Sequence, residues 1–268
     1  MPVLGEQFIA TFREFARTDG RAAEEFITEL YTRLSSRWHN AIVVDGGAHV
    51  GYHTFKLAEL ETVERVLAVE ASALIAETLK ANISASPVGV KIELCEAALQ
   101  DDPQLDSIEF LVSLEHPGRS GVNPVMGDDP NTVYEAPISV PATTLDQELP
   151  AELDKVAFIK LDLEGGEFST LKGAREMLSQ SRPVIVFEKG VNAPDLYNYK
   201  IEDLFGYLND VGLEVRTFFG DLASADNAAD FWYAWAFPKG SFAAFEHDFM
   251  DSMKVISARH LENADLSV

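Results

Sequence analysis

The sequence predicts an α/β protein: a doubly wound, mostly parallel sheet with an antiparallel terminal strand and an N-terminal helical cap. Three observations predict it. Short apolar runs alternate with helical stretches from residue 41 to about 240. Those runs lack apolar–polar alternation, as strands buried on both faces of a parallel sheet do. Two of them run into acids and glycines, at the place where such sheets bind ligands.

The elements follow in order. Residues 6–37 read as two helices. Phe8, Phe12 and Phe15 recur at helical spacing, Thr18-Asp19-Gly20 makes a break, and Phe26, Ile27, Leu30, Tyr31 and Leu34 form a second stripe. Residues 1–40 are therefore expected to cap the open end of the sheet. Strands are expected at 41–44, 66–69, 90–94, 158–163 and 184–187. A terminal, antiparallel pair is expected at 213–219 and 231–237. Phe168, Leu171, Ala174 and Leu178 give helical spacing after the fourth strand. Ile201, Leu204, Phe205 and Leu208 do so again, closed by Gly212. The stretch 100–150 breaks the rhythm with Asp101-Asp102-Pro103, His116-Pro117-Gly118, Gly127-Asp128-Asp129-Pro130 and Pro141. It reads as an insertion with extra strands at 107–112 and 136–140, placed at the rim where an acceptor pocket or lid is expected. Residues 41–240 make the main domain, and 241–268 a C-terminal tail.

Composition excludes more than it selects. At 268 residues and 47% hydrophobic content the chain can bury a full-sized core. No apolar run reaches a membrane span, and no basic-then-apolar leader opens the chain, so the expected location is cytoplasmic. One cysteine, Cys95, excludes an internal disulfide and the usual structural zinc sites. The charge of −23, from 21 basic and 44 acidic residues, repels phosphates and anionic lipids. Neither nucleic acid nor membrane is an expected partner. The same field favours a cationic donor or a neutral acceptor.

The strongest local feature is Val43-Val44-Asp45-Gly46-Gly47-Ala48-His49-Val50-Gly51. A buried strand ends in an acid, passes through a glycine turn and enters a helix. Gly47 and Gly51 let backbone approach a ligand, and the helix start offers free N–H groups. Glu70 closes the next strand, placed to accept both ribose hydroxyls of a nucleoside. The dinucleotide fingerprint G-x-G-x-x-G is absent, as is a Walker lysine. Asp45 suits instead a donor carrying an amino-acid ammonium, directly or through water, with a purely structural capping acid as the rival reading for it and for Glu70. Ser72 and the Glu96-Ala97 turn are expected near the ribose or adenine. His49 and His53 read as hydrogen-bonding histidines rather than catalytic ones.

A second constellation, Phe158-Ile159-Lys160-Leu161-Asp162-Leu163-Glu164-Gly165-Gly166-Glu167-Phe168, ends another strand in charge. Alternation sends Lys160, Asp162 and Glu164 to one side, where charges need a cleft. Asp162 and Glu164 are site candidates, with a structural ion pair to Lys160 as the rival reading. Glu188, at a neighbouring strand end, is a third candidate. Glu167 reads as a cap of the following helix. Trp232, Tyr233 and Trp235 read as strand-core packing, with a pocket lining as the rival.

These residues carry a resemblance. The chain resembles the FkbM family of S-adenosylmethionine-dependent methyltransferases: Asp45 to Tyr52 follow its first motif, approximately D-x-G-A-N-x-G-Y. Glu70 follows the strand-end acid. The span from Lys160 through Leu171 to Gly173-Ala174 follows K-x-D-x-E-G-x-E-x-x-x-L-x-G-A. Arg182-Pro183 with Glu188 and the segment Thr144-Leu145-Asp146 also fit. Two positions depart from the pattern: His49 stands for the usual Asn, and Ala71 for a common Pro. The resemblance implies a Rossmann-like class I methyltransferase fold and S-adenosylmethionine as methyl donor. It also implies a small-molecule, sugar or natural-product hydroxyl as acceptor. Asp45, Gly47, Gly51, Glu70, Ser72, Glu96 and Ala97 would hold the donor; Asp162, Glu164 and Glu188 would serve catalysis. No dedicated metal-ligand set is visible. The alternatives are a donor-binding protein without catalysis and a nicotinamide-dependent oxidoreductase, the second of which a titration with both cofactors tests.

Overall fold

The computed structural model describes residues 20–113, 120–122, 135–189 and 197–265, together with Phe12 and Pro194. The helix expected before Gly20 lies outside the described residues, Phe12 excepted. So do His116-Pro117-Gly118 and Gly127-Asp128-Asp129-Pro130.

Seven strands form the main sheet: β1 (Ala41–Gly46), β2 (Val63–Val69), β3 (Ile92–Cys95), β7 (Val156–Leu161), β8 (Val184–Glu188), β9 (Leu213–Thr217) and β10 (Tyr233–Pro238). Their order is β3-β2-β1-β7-β8-β10-β9. All neighbours pair in parallel except β10, which is antiparallel to both β8 and β9. The expected doubly wound sheet is therefore present. β1 is buried along its whole length because it is paired on both edges and covered on both faces. A second sheet, β4-β6-β5, joins β4 (Ala98–Leu99), β5 (Ser107–Phe110) and β6 (Ile138–Thr143). The extra strands expected in the insertion are its β5 and β6.

Eight helices carry labels here: α1 (Gly20–Leu34), α2 (Tyr52–Ala58), α3 (Ala73–Ala85), α4 (Leu145–Glu148), α5 (Glu167–Lys172), α6 (Arg175–Ser181), α7 (Ile201–Asp210) and α8 (Phe242–Asp265). α1 buries Phe26, Ile27, Leu30, Tyr31 and Leu34, the stripe read from the sequence. The stretch expected as a tail is instead helical to Asp265, and α8 buries Phe249, Met253 and Ile256 against the core and α1. Phe242, Phe245, Phe249, Met253 and Ile256 recur at helical spacing, and packing against the core buries that face.

Three boundaries differ from expectation for local reasons. The single helical stripe from Phe168 to Leu178 is two helices. The Asp146 carboxylate starts the second by accepting from Glu176 N and Met177 N, each at 2.9 Å. The third strand begins at Ile92, since residues 89–91 form a 3-10 turn that leaves Val90 exposed. The fourth strand ends at Leu161, so Asp162 and Glu164 belong to the turn that follows. Among the described residues no helix is long and apolar enough to cross a membrane.

Candidate active site

The sheet's connections run one way from β1, through β2 to β3, and the other way from β7 to β8. Strand order thus reverses between β1 and β7, and their carboxyl ends diverge into a crevice. A cleft of about 540 Å³ opens there, within the size range of small-molecule sites. Asp45, Gly47, Ala48, Glu70, Ala97, Asp162 and Glu164 line it, with Arg21, Glu24 and Glu25 of α1 and Phe110 of β5. Cap and insertion therefore both contribute wall.

On the β1 side the turn is built for close approach. Gly47 has φ 76, and a Cβ there would stand 1.9 Å from the Asp162 carbonyl oxygen. Gly51, at φ 102, would drive a Cβ into the Phe55 ring at 2.4 Å. Only glycine meets both demands. Gly51 does not line the cleft; its role is to start α2 beneath it. The Glu70 carboxylate accepts from His49 N at 2.9 Å and Ser72 N at 2.8 Å, one bond on each oxygen. Burial pushes this carboxyl above its ordinary value, against the pull of those two bonds. One lone pair on each oxygen is left for a ligand. Ser72 itself is buried at the start of α3, and its backbone, not its side chain, makes the contact. Glu96 is turned away: its side chain pairs with Lys80 at 2.6 Å, 42% exposed, while the adjacent Ala97 faces the cleft.

Asp45 is 1% exposed. Its Oδ2 accepts from Thr54 Oγ1 at 2.6 Å. Its Oδ1 is buried with no hydrogen-bond partner, the nearest cation being Lys160 Nζ at 3.8 Å. An orphaned, buried carboxylate oxygen in a cleft wall is a place where a ligand's ammonium belongs. Lys160 comes there by register, since Asp45 pairs directly with it across β1 and β7. Burial alone would lower the Lys160 ammonium, but the carboxylates of Asp162, Asp45 and Glu24 raise it well above its ordinary value. It stays charged, 3.5 Å from Asp162 Oδ2. Asp162 thus makes the ion pair with Lys160 and also lines the cleft.

The β7 side gathers the three acids expected there. Carboxylate oxygens of Asp162, Glu164 and Glu188 lie within 4.8 Å of one another. Glu164 reaches this place through a left-handed turn (φ 52), not through strand alternation. Burial would raise Asp162, yet the Lys160 ammonium and hydrogen bonds from Glu188, Tyr233 and Lys160 hold its carboxyl below the ordinary range. Glu188 goes the other way: burial and the charge of Asp162 hold it well above. The two environments divide one acid from one carboxylate. Glu167 is 2% exposed and accepts from Leu163 N at 2.6 Å. Its side chain ties down the 163–166 turn, and the Glu167 backbone N–H at the start of α5 also favours the charged carboxylate.

Several contacts had no signal in sequence. Tyr233 Oη donates to Asp162 Oδ2 at 3.1 Å and lies 3.3 Å from Glu24 Oε1. Trp232 Nε1 donates to Glu188 Oε1. Of the three aromatics read as core, only Trp235 is fully buried. His53 is buried too, and its partners are distant: Glu24 Oε2 at 2.5 Å and Tyr31 Oη at 3.3 Å, both on α1.

The Methyltransferase FkbM domain family matches residues 45–215. Among solved structures, the chain is similar to a methyltransferase FkbM from Methylobacillus flagellatus. Identity is 19%, coverage 74% of this chain and 43% of that one, and TM-score 0.46. The chain therefore spans less than half of that protein's length. It is also similar to a TehB-like SAM-dependent methyltransferase from Corynebacterium glutamicum (11% identity, 89% and 100% coverage, TM-score 0.40). A third similar structure is an O-methyltransferase from Bacillus cereus in complex with SAH (15%, 86% and 91%, TM-score 0.40). No curated protein matches the sequence.

Proposed function

The chain belongs to the FkbM methyltransferase family and has a Rossmann-like class I methyltransferase fold, and from that premise we propose that it transfers a methyl group from S-adenosylmethionine to a hydroxyl of a small molecule, sugar or natural product. One observation carries the donor assignment: the orphaned Asp45 Oδ1 and the half-used Glu70 carboxylate face one cleft across a glycine turn. Asp45 would take the ammonium and Glu70 the ribose hydroxyls. Val69, Ala71, Ala97 and Ala98 offer apolar wall for the base. The residues fit the donor, which when bound supplies an electrophilic methyl on a sulfonium.

The chain's own part in the chemistry is to hold the acceptor in line and to take its proton. The Asp162–Glu188 pair is the proposed base, Asp162 being the member whose carboxyl is held below the ordinary range. Glu188 carries the proton it shares with Asp162, and Glu164 borders the acceptor side. Calorimetry with S-adenosylmethionine tests the donor site. Glu70→Ala should weaken binding at least about tenfold, since a charge-assisted bond contributes about 1.5–3 kcal/mol. An unchanged Kd removes Glu70 from the site.

A further inference from the structure

Asp162 directly follows β7 and Glu188 ends the neighbouring β8, with carboxylate oxygens inside the 4.8 Å grouping. Two carboxylates this close hold one proton more readily than two negative charges. The rest of the setting sharpens that balance. Asp162 faces Lys160 from β7 and Tyr233 from β10; Glu188 faces Glu164 and Glu167 from the turn and α5. Across a 3.8 Å gap, Lys160 also faces the Asp45 oxygen assigned to the donor's ammonium. Asp162 lines the cleft in which a cationic donor would lie, with Glu188 beside it, so the proton count of the pair must respond to that charge.

We propose that the Asp162–Glu188 pair holds one proton in the donor-free enzyme and gives it up when a sulfonium donor binds, so that the base is armed only in the loaded enzyme. The step rests on the donor site proposed above. A positive charge entering the cleft favours the doubly ionised pair. When the acceptor oxygen forms its bond to the methyl carbon, the carbon–sulfur bond breaks and its electron pair stays on sulfur. The positive charge is then gone, and the pair takes back one proton, the one leaving the acceptor hydroxyl. Proton and charge thus move together. Tyr233 Oη, between Asp162 and the 32% exposed side chain of Glu24, gives the first proton a way to solvent: it passes one proton on as it receives another.

The prediction needs no acceptor. Binding enthalpies of S-adenosylmethionine and S-adenosylhomocysteine are measured in buffers of differing ionisation enthalpy. The two ligands differ in the methyl and the charge it confers on sulfur. The charged ligand should release more protons than the neutral one, by a difference approaching about one near neutral pH. Asp162→Asn and Glu188→Gln should each abolish the difference. Equal proton counts for the two ligands in the wild type overturn the proposal. So does a difference that survives in both variants, which would place the released proton outside the pair. If neither ligand binds, the donor assignment falls and this proposal with it; if both bind with equal counts, this proposal alone falls.

Discussion

His49 has φ 50, in the left-handed region that most side chains avoid and that Asn, Asp and His enter most readily. The resembled family usually carries Asn at this position, and the backbone geometry explains both choices. The bond that matters, to Glu70 Oε2, comes from the His49 backbone N–H, so the exchange of side chain leaves it intact. Glu167 shows the opposite case, a side chain whose burial sets its chemistry. Burial pushes its carboxyl from 4.5 to about 8, against the hydrogen bond from Leu163. The folded state then binds a proton that the unfolded state has lost between those two values. Its contribution to stability is full below about 4.5 and is lost as pH rises through about 8. Glu167→Gln keeps an acceptor oxygen for Leu163 and removes the titration. It should therefore melt above wild type beyond pH 8, with the gap closing toward pH 4.5. Parallel melting curves at all pH values would show that Glu167 does not bury its charge.

At the scale of the element, α1 decides most about the cleft. Its apolar face packs Phe26 against Phe218 (5.1 Å), Phe249 (5.2 Å) and Trp235 (5.9 Å). Its polar face delivers Glu24 to His53 and Tyr233. Helical periodicity revealed the first face, because burial repeats with the turn of the helix. It was silent on the second, because a glutamate facing a cleft reads like one facing water. Truncating a fully buried aromatic costs about 3–5 kcal/mol, so Phe26→Ala should lower the unfolding free energy by that amount in denaturant titration. A loss below about 1 kcal/mol would mean that α1 is not integral to the core. The β7 turn shows the same division. The sequence pattern picked Asp162, Glu164 and Glu188, yet strand alternation was the wrong reason for Glu164, which a left-handed turn brings in.

For the whole molecule, a charge of −23 acts as a self-repulsion that the compact state must bear. Pairs such as Arg33–Glu29 and Arg37–Asp248, being partly exposed, offset only part of it. Screening should therefore stabilise the fold: Tm should rise between low salt and about 1 M, where the Debye length falls to about 3 Å. A flat or falling Tm would show that the local ion pairs outweigh the net field. The same excess of acid lines the cleft, where Glu24, Glu25, Asp45, Glu70, Asp162 and Glu164 face Arg21 and Lys160.

By itself the sequence determined the parallel sheet, the glycine turn after Asp45, the strand-end Glu70 and the acids around Asp162. All of these depend on short-range spacing, which the chain writes out directly. Only the tertiary structure decided that Asp45 keeps an orphaned oxygen, that Tyr233 reaches both Asp162 and Glu24, and that Glu188 lies beside Asp162. Those facts arise where β1, β7, β8, β10 and α1 converge, and the charge state of a buried acid is set by neighbours far away in the chain.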